Sequence, residues 1–259
     1  MMVAPNPFLT AIRAGQAQIG IWLSMATAQS TEIVSHSGFD WALIDMEHSP
    51  NDLSSVKDQL RVLESAATTA LVRPDWNDPV KVKRLLDMGA PGLLFPMVNS
   101  AEEAAAAVAA TRFAPRGIRG VGSTTRATAY GRDKSYFAEV EKQTAALVQV
   151  ETLQALDNID EIAAVGGVDG VFFGPADIAA EMGHLGQAMH DDVWAKILPL
   201  AMRLISKRIP VGTVVSDVTF ARRLLSAGFT FVACGSDTGL LAQAADQRLA
   251  DLKAQTTGT

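Results

Sequence analysis

Two apolar segments of the sequence each end at a carboxylate. Ala145 to Val150 leads to Glu151, and Val168 to Ala176 leads to Asp177. Short runs of Leu, Phe and β-branched residues between turn signals are typical of buried parallel strands, whose polar exit residues often carry the chemistry of α/β folds. Carboxylates at neighbouring strand ends would repel each other unless a cation or a proton lay between them. The pair therefore predicts a site for a hard divalent cation such as Mg²⁺ or Mn²⁺.

The same carboxylates also have a purely structural interpretation. Glu151 precedes Thr152 and a helical pattern, and Asp177 follows a Gly-Pro-Ala turn. Carboxylates in such positions commonly cap the N-terminus of a helix. The pattern alone does not choose between a metal site and two helix caps.

Two further polar residues follow strand-like segments. His48 lies where a strand has ended, and an exposed histidine there titrates near neutral pH, as a general base must; the alternative is a hydrogen-bonded loop histidine. Arg73 is the last residue of another apolar run. A buried guanidinium needs an anionic partner, which is either a substrate carboxylate or oxyanion, or Asp45 or Glu47 in a structural ion pair.

The elements that must position these residues alternate along the chain. Eight strands are predicted at Ile19–Ser24, Trp41–Met46, Thr69–Arg73, Gly92–Pro96, Ala146–Glu151, Gly170–Gly174, Pro210–Val215 and Phe229–Cys234. Helical patterns cover Leu53–Ala66, Pro79–Met88, Ala101–Thr111, Leu153–Val165, Asp191–Arg208 and Asp217–Ala227. This alternation predicts one (β/α)8 TIM barrel over residues 1–259, with a doubly wound open sheet as the alternative.

One segment does not fit the alternation. Phe113 to Gln143 is a long insertion between the fourth and fifth strands, and loops of this length are usually functional or mobile. The lysines lie in helical patterns or in this insertion and not on a predicted strand. This distribution argues against a Schiff-base mechanism, which needs a lysine that projects from a strand into the barrel.

Composition narrows the classes of partner. The chain has a formal net charge of −6 and a pI of about 5.2. Its basic residues are scattered, which predicts no contact with nucleic acid or an anionic membrane. No apolar stretch approaches the roughly 18 residues of a membrane span, and the N-terminus does not resemble a signal peptide. We therefore expect a cytoplasmic protein that binds small molecules.

Together, these motifs resemble the HpcH/HpaI aldolase family of metal-dependent (class II) pyruvate aldolases, and the resemblance covers nearly the whole chain. The segments that carry it are Gly38–His48, Val72–Pro79, Pro115–Ser123, Leu147–Thr152 and Val171–Asp177.

The resemblance implies a role for each candidate residue. Glu151 and Asp177 would hold the divalent cation, Mg²⁺ or Mn²⁺ with Co²⁺ as a further option. His48 would be the base, and Arg73 would stabilise the enolate and the aldehyde oxyanion. Besides Arg73 and Asp177, the implied substrate-binding positions are Gln149, Ser123, Val214 and the backbone at Ala176.

The resemblance also implies an assembly. Asp87, which the pattern places on a helix surface, would raise the basicity of His48 from a neighbouring subunit. The protein would then be a trimer-based homo-oligomer, with a hexamer expected, and the terminal helix Asp237 to Lys253 would exchange between subunits.

The reaction implied is the making or cleavage of 4-hydroxy-2-oxo acids from a pyruvate-type enolate and an aldehyde, in aromatic catabolism. Departures at Met46, Ser49 and Thr213–Val215 leave the aldehyde open. Alternatives are a 2-dehydro-3-deoxy-sugar-acid aldolase or an acyl-CoA lyase of the same superfamily, or a non-catalytic barrel that binds 2-oxo acids.

Overall fold

The computed structural model describes residues 5–256 as a closed barrel of eight parallel strands, each hydrogen-bonded to the next in chain order. The strands are β1 Gln18–Leu23, β2 Trp41–Asp45, β3 Thr69–Arg73, β4 Gly92–Phe95, β5 Ala145–Val150, β6 Gly170–Phe173, β7 Val211–Val215 and β8 Phe231–Ser236. The helices are α1 Pro7–Arg13, α2 Ala28–Ser35, α3 Leu53–Leu63, α4 Pro79–Asp87, α5 Ala101–Thr111, α6 Tyr136–Gln143, α7 Leu153–Asp157, α8 Ile159–Ala163, α9 Pro175–Glu181, α10 Asp191–Ser206, α11 Val218–Ser226 and α12 Asp237–Thr256.

The barrel closes through β1, which pairs in parallel with both β2 and β8. The sheet therefore has no free edge, which confirms the (β/α)8 prediction and excludes the doubly wound sheet. Each predicted strand overlaps an observed strand, and β3 has the predicted bounds.

The helix predictions were less complete. The pattern over Leu153–Val165 forms two short helices, α7 and α8, because the chain breaks at Asn158, where the side-chain amide donates to the Asn99 carbonyl at 2.8 Å. The short helices α1, α2, α6 and α9 were not predicted. Asp78 caps α4, and Gly89 follows that helix with a φ of +92°.

The barrel interior is filled by aromatic rings. The Phe231 ring lies 6.2 Å from Trp41 and 6.0 Å from Phe172, measured between centroids. Phe8 of α1 packs on Trp41 and Phe231 at 5.8 and 5.7 Å, so α1 covers the end of the barrel where the strands begin. A second apolar cluster lies between the strands and the surrounding helices. Ligand-sized space is consequently left at the other end, where the strands finish.

The insertion between β4 and β5 is folded against the barrel. Its last part forms α6, and Arg119 is buried with one guanidinium nitrogen 2.9 Å from both Asp87 and the Tyr136 hydroxyl. The Arg119 guanidinium also lies over the Phe113 ring at 4.5 Å. These contacts tie the insertion to the end of α4.

The terminal helix α12 begins at the end of β8. The Asp237 carboxylate accepts hydrogen bonds from the amides of Ser24 and Met25 at 2.8 and 3.2 Å, which joins the helix to the segment after β1. Leu240, Leu241 and Leu249 are about half exposed. Within residues 5–256, no helix has both the length and the apolar character needed to cross a bilayer. Exchange of α12 between subunits stays a prediction.

Candidate active site

The alternation of side chains along each strand explains why the candidate residues meet. Leu43, Leu71 and Leu147 belong to the apolar cluster inside the barrel. Because successive side chains of a strand point to opposite faces, every second residue beyond them also points inward. That rule brings Asp45, Arg73 and the pair Gln149 and Glu151 to the top of the interior.

These side chains line a cavity of about 580 Å³ at the mouth of the barrel. Of the residues predicted from the sequence, those that line it are His48, Arg73, Gln149, Glu151, Ala176, Asp177 and Val214. Its remaining wall includes Trp22 and Phe172 at the floor and Ala188 and Met189 from the segment between α9 and α10.

Arg73 lies at the centre of an acidic group. Its Nε and one terminal nitrogen donate to the two Asp45 carboxylate oxygens, both at 2.8 Å, and its other terminal nitrogen lies 2.8 Å from Glu47 Oε2. The ion pair that was one of two options for Arg73 is therefore present. A guanidinium has five N–H groups, and only two of those on Arg73 donate hydrogen bonds to Asp45; the contact with Glu47 is an ion pair without hydrogen-bond geometry.

His48 is the most exposed member of the group, with 67% of its side chain accessible. Its Nε2 lies 3.9 Å from Glu47 Oε2, so Glu47 stands between His48 and Arg73. Burial raises the pKa of Glu47, and the positive charges of Arg73 and His48 oppose that shift. An exposed imidazole next to a carboxylate is suited to exchange a proton with a bound molecule.

Glu151 is a buried carboxylate held by two donors. Its Oε1 accepts a hydrogen bond from the Met97 amide at 2.7 Å, and its Oε2 accepts one from the Gln149 side chain. Burial, with the negative charges of Glu47 and Asp177, raises the pKa of Glu151 from 4.5 to about 7. A carboxylate in this environment is stabilised by any cation that binds beside it.

The donor set fits a hard divalent cation. Glu151 and Asp177 supply carboxylates to one cavity, and the buried Oε1 of Gln149 has no hydrogen-bond partner among the described residues. The competing helix-cap interpretation of Glu151 is wrong, because Thr152 caps α7 with its side chain accepting from the Ala155 amide. Asp177 lies within the first turn of α9, whose N-cap is Gly174. Oxygen ligands of this kind suit Mg²⁺ or Mn²⁺.

Comparison with known proteins assigns the chain to a family. The model of the HpcH/HpaI aldolase/citrate lyase family matches residues 18–244. The chain belongs to that family.

Relatives of this aldolase act on two different substrates. The present chain is 44% identical over 253 residues to the 4-hydroxy-2-oxo-heptane-1,7-dioate aldolase of Escherichia coli, with 97% of both chains covered. It is 46% identical over 249 residues to the 5-keto-4-deoxy-D-glucarate aldolase of Shigella dysenteriae serotype 1, with 96% of this chain and 97% of the relative covered.

A crystal structure of a family member from Burkholderia cenocepacia J2315 superposes with a TM-score of 0.92 at 36% identity, covering 96% of this chain and 99% of that one. The sequence prediction of an enzyme, a carbon–carbon lyase, is confirmed by these relatives, and the non-catalytic barrel is set aside.

Two predicted site residues of the aldolase lie away from the mouth of their own chain. Asp87 ends α4, which runs back from the end of β3 towards the start of β4, and it pairs with Arg119 at 2.9 Å. Ser123 lies in the insertion beside it, near Gly122, where an added Cβ would approach Asp87 Oδ2 to 3.3 Å. Neither residue lines the cavity around Glu151, so a role for them there requires a second subunit.

Two groups that position Glu151 were not predicted from the sequence. One is the amide of Met97, a non-glycine residue with a φ of +54° in the loop after β4. The other is Gly174, the residue directly after β6, which lies so close to Glu151 that there is no room for a side chain. A glycine just before a proline was a visible signal in the sequence, whereas nothing in the sequence indicated the Met97 amide.

Gly174→Ala should damage the site without changing its ligands. An added Cβ would lie 2.7 Å from both Cβ and Oε2 of Glu151, so the carboxylate would have to move. We expect the affinity for Mg²⁺ or Mn²⁺ to fall about 10–100-fold, as when the supporting contacts of a metal ligand are lost. Isothermal titration calorimetry measures this. Gly166→Ala is the matched control because it has open space around its Cβ position, and equal metal affinity of the two variants would contradict the prediction.

Metal binding should also depend on pH through Glu151. Its pKa is raised to about 7 in the metal-free protein, so below that pH a proton competes with the cation for the carboxylate. We expect the Mn²⁺ affinity to be constant above about pH 8 and to fall up to tenfold per pH unit below 7. Calorimetry across this range tests it. Glu47→Gln removes a charge that raises the Glu151 pKa, so its profile should shift to lower pH; a flat wild-type profile would show the prediction to be wrong.

Proposed function

We propose that this aldolase cleaves 4-hydroxy-2-oxo diacids to pyruvate and a carboxylate-bearing aldehyde with the aid of a divalent cation. The observation that carries the proposal is the buried Glu151, whose pKa is raised to about 7 beside Gln149 and Asp177 in the mouth of the barrel. Glu151 is a buried carboxylate with a raised pKa, and the Gln149 amide oxygen beside it has no hydrogen-bond partner. Both oxygen groups would be stabilised by a bound cation.

Glu151 and Asp177 would hold the cation, which we propose to be Mg²⁺ or Mn²⁺, with Co²⁺ also compatible with these oxygen donors. When bound, such a cation acts as a Lewis acid that stabilises negative charge on the keto oxygen of a 2-oxo acid.

The chain's own residues would orient the 2-oxo acid. The amides of Ala176 and Asp177 lie in the first turn of α9, where N–H groups have no acceptor within the helix, so they can receive the substrate carboxylate. The side-chain amide of Gln149 would contact the same 2-oxo acid. Arg73 can direct N–H groups that do not donate to Asp45 at the oxygen on which charge develops, while Asp45 and Glu47 keep the guanidinium in place.

His48 would move the proton. In cleavage it accepts the proton of the 4-hydroxyl group as the C3–C4 bond breaks, which releases the aldehyde and leaves the electron pair in the enolate of pyruvate. The enolate then takes a proton at C3. Condensation is the same path in reverse. The exposed position of His48, next to Glu47, allows the proton to return to solvent.

The two relatives described above act on substrates that would yield two different aldehydes. Cleavage of 4-hydroxy-2-oxo-heptane-1,7-dioate yields succinate semialdehyde, and Val214, Val215 and Met189 offer apolar wall for its methylene groups. Cleavage of 5-keto-4-deoxy-D-glucarate yields a hydroxylated three-carbon aldehyde, and the hydroxyl groups of Ser24, Ser216 and Ser236 on the same wall favour that second candidate. Both substrates share the pyruvate half.

The first test is hydrogen–deuterium exchange at C3 of pyruvate in D₂O, followed by NMR, because it needs no knowledge of the aldehyde. We expect exchange that depends on Mg²⁺ or Mn²⁺ and stops in excess EDTA. Full exchange or cleavage in excess EDTA would overturn the proposal. The ratio of kcat/KM for the two diacids then identifies the aldehyde half.

We further propose a trimer-based homo-oligomer in which Asp87 and Ser123 serve the mouth of a neighbouring subunit. The support is that both residues lie together on the insertion side of α4, away from their own cavity, while α12 exposes leucines. Glu151→Gln and Asp87→Asn should each be weakly active alone, because every active site in either variant would lack one of these two carboxylates.

Unfolding and refolding the two variants together should restore a fraction of the wild-type cleavage rate. In the mixed oligomers, some active sites would combine an intact Glu151 from one subunit with an intact Asp87 from its neighbour. Sedimentation gives the assembly size. No recovery from the mixture, while refolded wild type recovers fully, would contradict a shared site.

A further inference from the structure

A second group of metal-ligating side chains lies outside the site around Glu151. His184, His190 and Asp192 occupy the segment between α9 and the first turn of α10. His184 Nε2 lies 3.3 Å from Asp192 Oδ2, and His190 Nδ1 lies 3.7 Å from the same oxygen. One ligand atom from each of the three falls within 4.8 Å of the others, and among residues 5–256 no other His, Cys, Asp and Glu group meets that condition.

The separations match those of a coordination shell. A tetrahedral cation with bonds of about 2.0–2.1 Å holds its ligand atoms roughly 3.3–3.4 Å apart. The two distances to Asp192 Oδ2 are close to that spacing. The imidazole rings stack with centroids 3.7 Å apart and planes 14° from parallel. Because a cation lies in the plane of each imidazole that binds it, the rings would have to turn out of this stack to direct both nitrogens at one cation.

One ring nitrogen of the pair already acts as a hydrogen-bond acceptor, as the nitrogen of a metal ligand must. His190 Nδ1 already accepts a hydrogen bond from the Asp192 amide at 3.2 Å and therefore presents a lone pair. Coordination would exchange this long helix-capping bond for a metal bond.

The ligand types distinguish this group from the site in the mouth. Two imidazoles and one carboxylate suit Zn²⁺, Co²⁺ or Ni²⁺, whereas the carboxylates and amide oxygen around Glu151 suit Mg²⁺ or Mn²⁺. His184 and His190 are partly exposed, with 24% and 33% of their side chains accessible, and Asp192 is 66% exposed. A cation can therefore reach the group from solvent and keep a water ligand.

The position of the group gives it a structural consequence. Between the two histidines lie Ala188 and Met189, which form part of the mouth wall. The segment turns at Gly183 and Gly186, both with positive φ. A cation bound by His184 at one end and by His190 and Asp192 at the other would hold this wall in a fixed shape.

We propose that His184, His190 and Asp192 form a second cation site, specific for a transition metal of the Zn²⁺ class, which fixes the wall segment of the active-site mouth. The site is separate from the cation that assists the reaction. The inference does not depend on the identity of the substrate.

The test measures Zn²⁺ bound per chain by equilibrium dialysis in excess Mg²⁺, which occupies the oxygen-rich site. Wild type should bind one more Zn²⁺ per chain than either His184→Gln or Asp192→Asn. His36→Gln is the matched control, since His36 is an exposed histidine outside the group, and it should bind as wild type does. Co²⁺ should give a visible absorption band in wild type that both cluster variants lose.

Amide hydrogen exchange provides a second measurement. Zn²⁺ should slow exchange over residues 183–192 in wild type and in His36→Gln, and leave it unchanged in His184→Gln. Using both His184→Gln and Asp192→Asn guards against a variant that fails to fold. Equal Zn²⁺ binding by wild type and both cluster variants, with no change in exchange, would overturn the proposal and leave the group as a histidine–aspartate ion pair.

Discussion

Glu151→Gln is expected to lower metal-dependent exchange of pyruvate and diacid cleavage by at least about 1,000-fold, the upper end of what removal of one charge-stabilising group costs. The change keeps the shape of the side chain and removes the negative charge that the cation needs. The Met97 amide can still donate to the remaining oxygen, and Gln149, whose amide nitrogen donates to the other oxygen in wild type, would turn its own oxygen towards the new NH₂ group. The rate is measured by NMR and by coupled detection of pyruvate.

The loss should be separable from folding. Burial disfavours the charged form of Glu151, whose pKa is raised to about 7, so a neutral side chain should not destabilise the metal-free protein at pH 8. Mn²⁺ should raise the melting temperature of wild type and not that of Glu151→Gln. Glu161→Gln, on an exposed residue of α8, is the control and should behave as wild type. Retention of metal-dependent activity by Glu151→Gln would remove the basis of the proposed mechanism.

Arg73→Lys should produce the second large effect. A lysine carries one ammonium group and cannot reproduce the paired hydrogen bonds to Asp45 together with the contact to Glu47. Asp45 is buried and Glu47 is largely buried, so the carboxylate that loses its cationic partner would not regain full solvation. We expect kcat/KM for cleavage to fall by about 100–1,000-fold and the free energy of unfolding to fall by about 1–3 kcal/mol.

The comparison for Arg73→Lys is Arg203→Lys. Arg203 also contacts an aspartate, at 2.9 Å from Asp160, but both side chains are nearly half exposed. Exposed pairs contribute little, so this variant should change the unfolding free energy by less than about 0.5 kcal/mol and leave kcat/KM unchanged. If the two variants lost activity equally, the buried geometry around Arg73 would not be the cause.

The barrel was predictable because its strands are short apolar runs, and a run without polar residues has few alternatives to burial. The candidate residues were predictable for a related reason. Arg73 and Glu151 are charged residues at the ends of such runs, and strand alternation fixes which way they point.

The contacts that tune those residues were not predictable. The Met97 amide reaches Glu151 across 54 positions of sequence, and Arg119 meets Asp87 across 32. Contacts of this kind depend on how loops cross the barrel, which residue types do not encode locally. The group at His184 was also not predicted, because its three members come together only through the turn between α9 and α10.

The aromatic filling of the barrel has a consequence for the order in which the products of the proposed reaction would leave. Trp22 and Phe172 form the floor of the mouth, and the rings of Trp41, Phe231 and Phe8 continue below them to α1. Among residues 5–256 these packed rings fill the lower end of the barrel, so both products would leave through the mouth. In the proposed mechanism the pyruvate fragment would lie deepest, beside Gln149, and would leave after the aldehyde. Steady-state product inhibition should accordingly show pyruvate binding to the free enzyme and the aldehyde binding only after pyruvate.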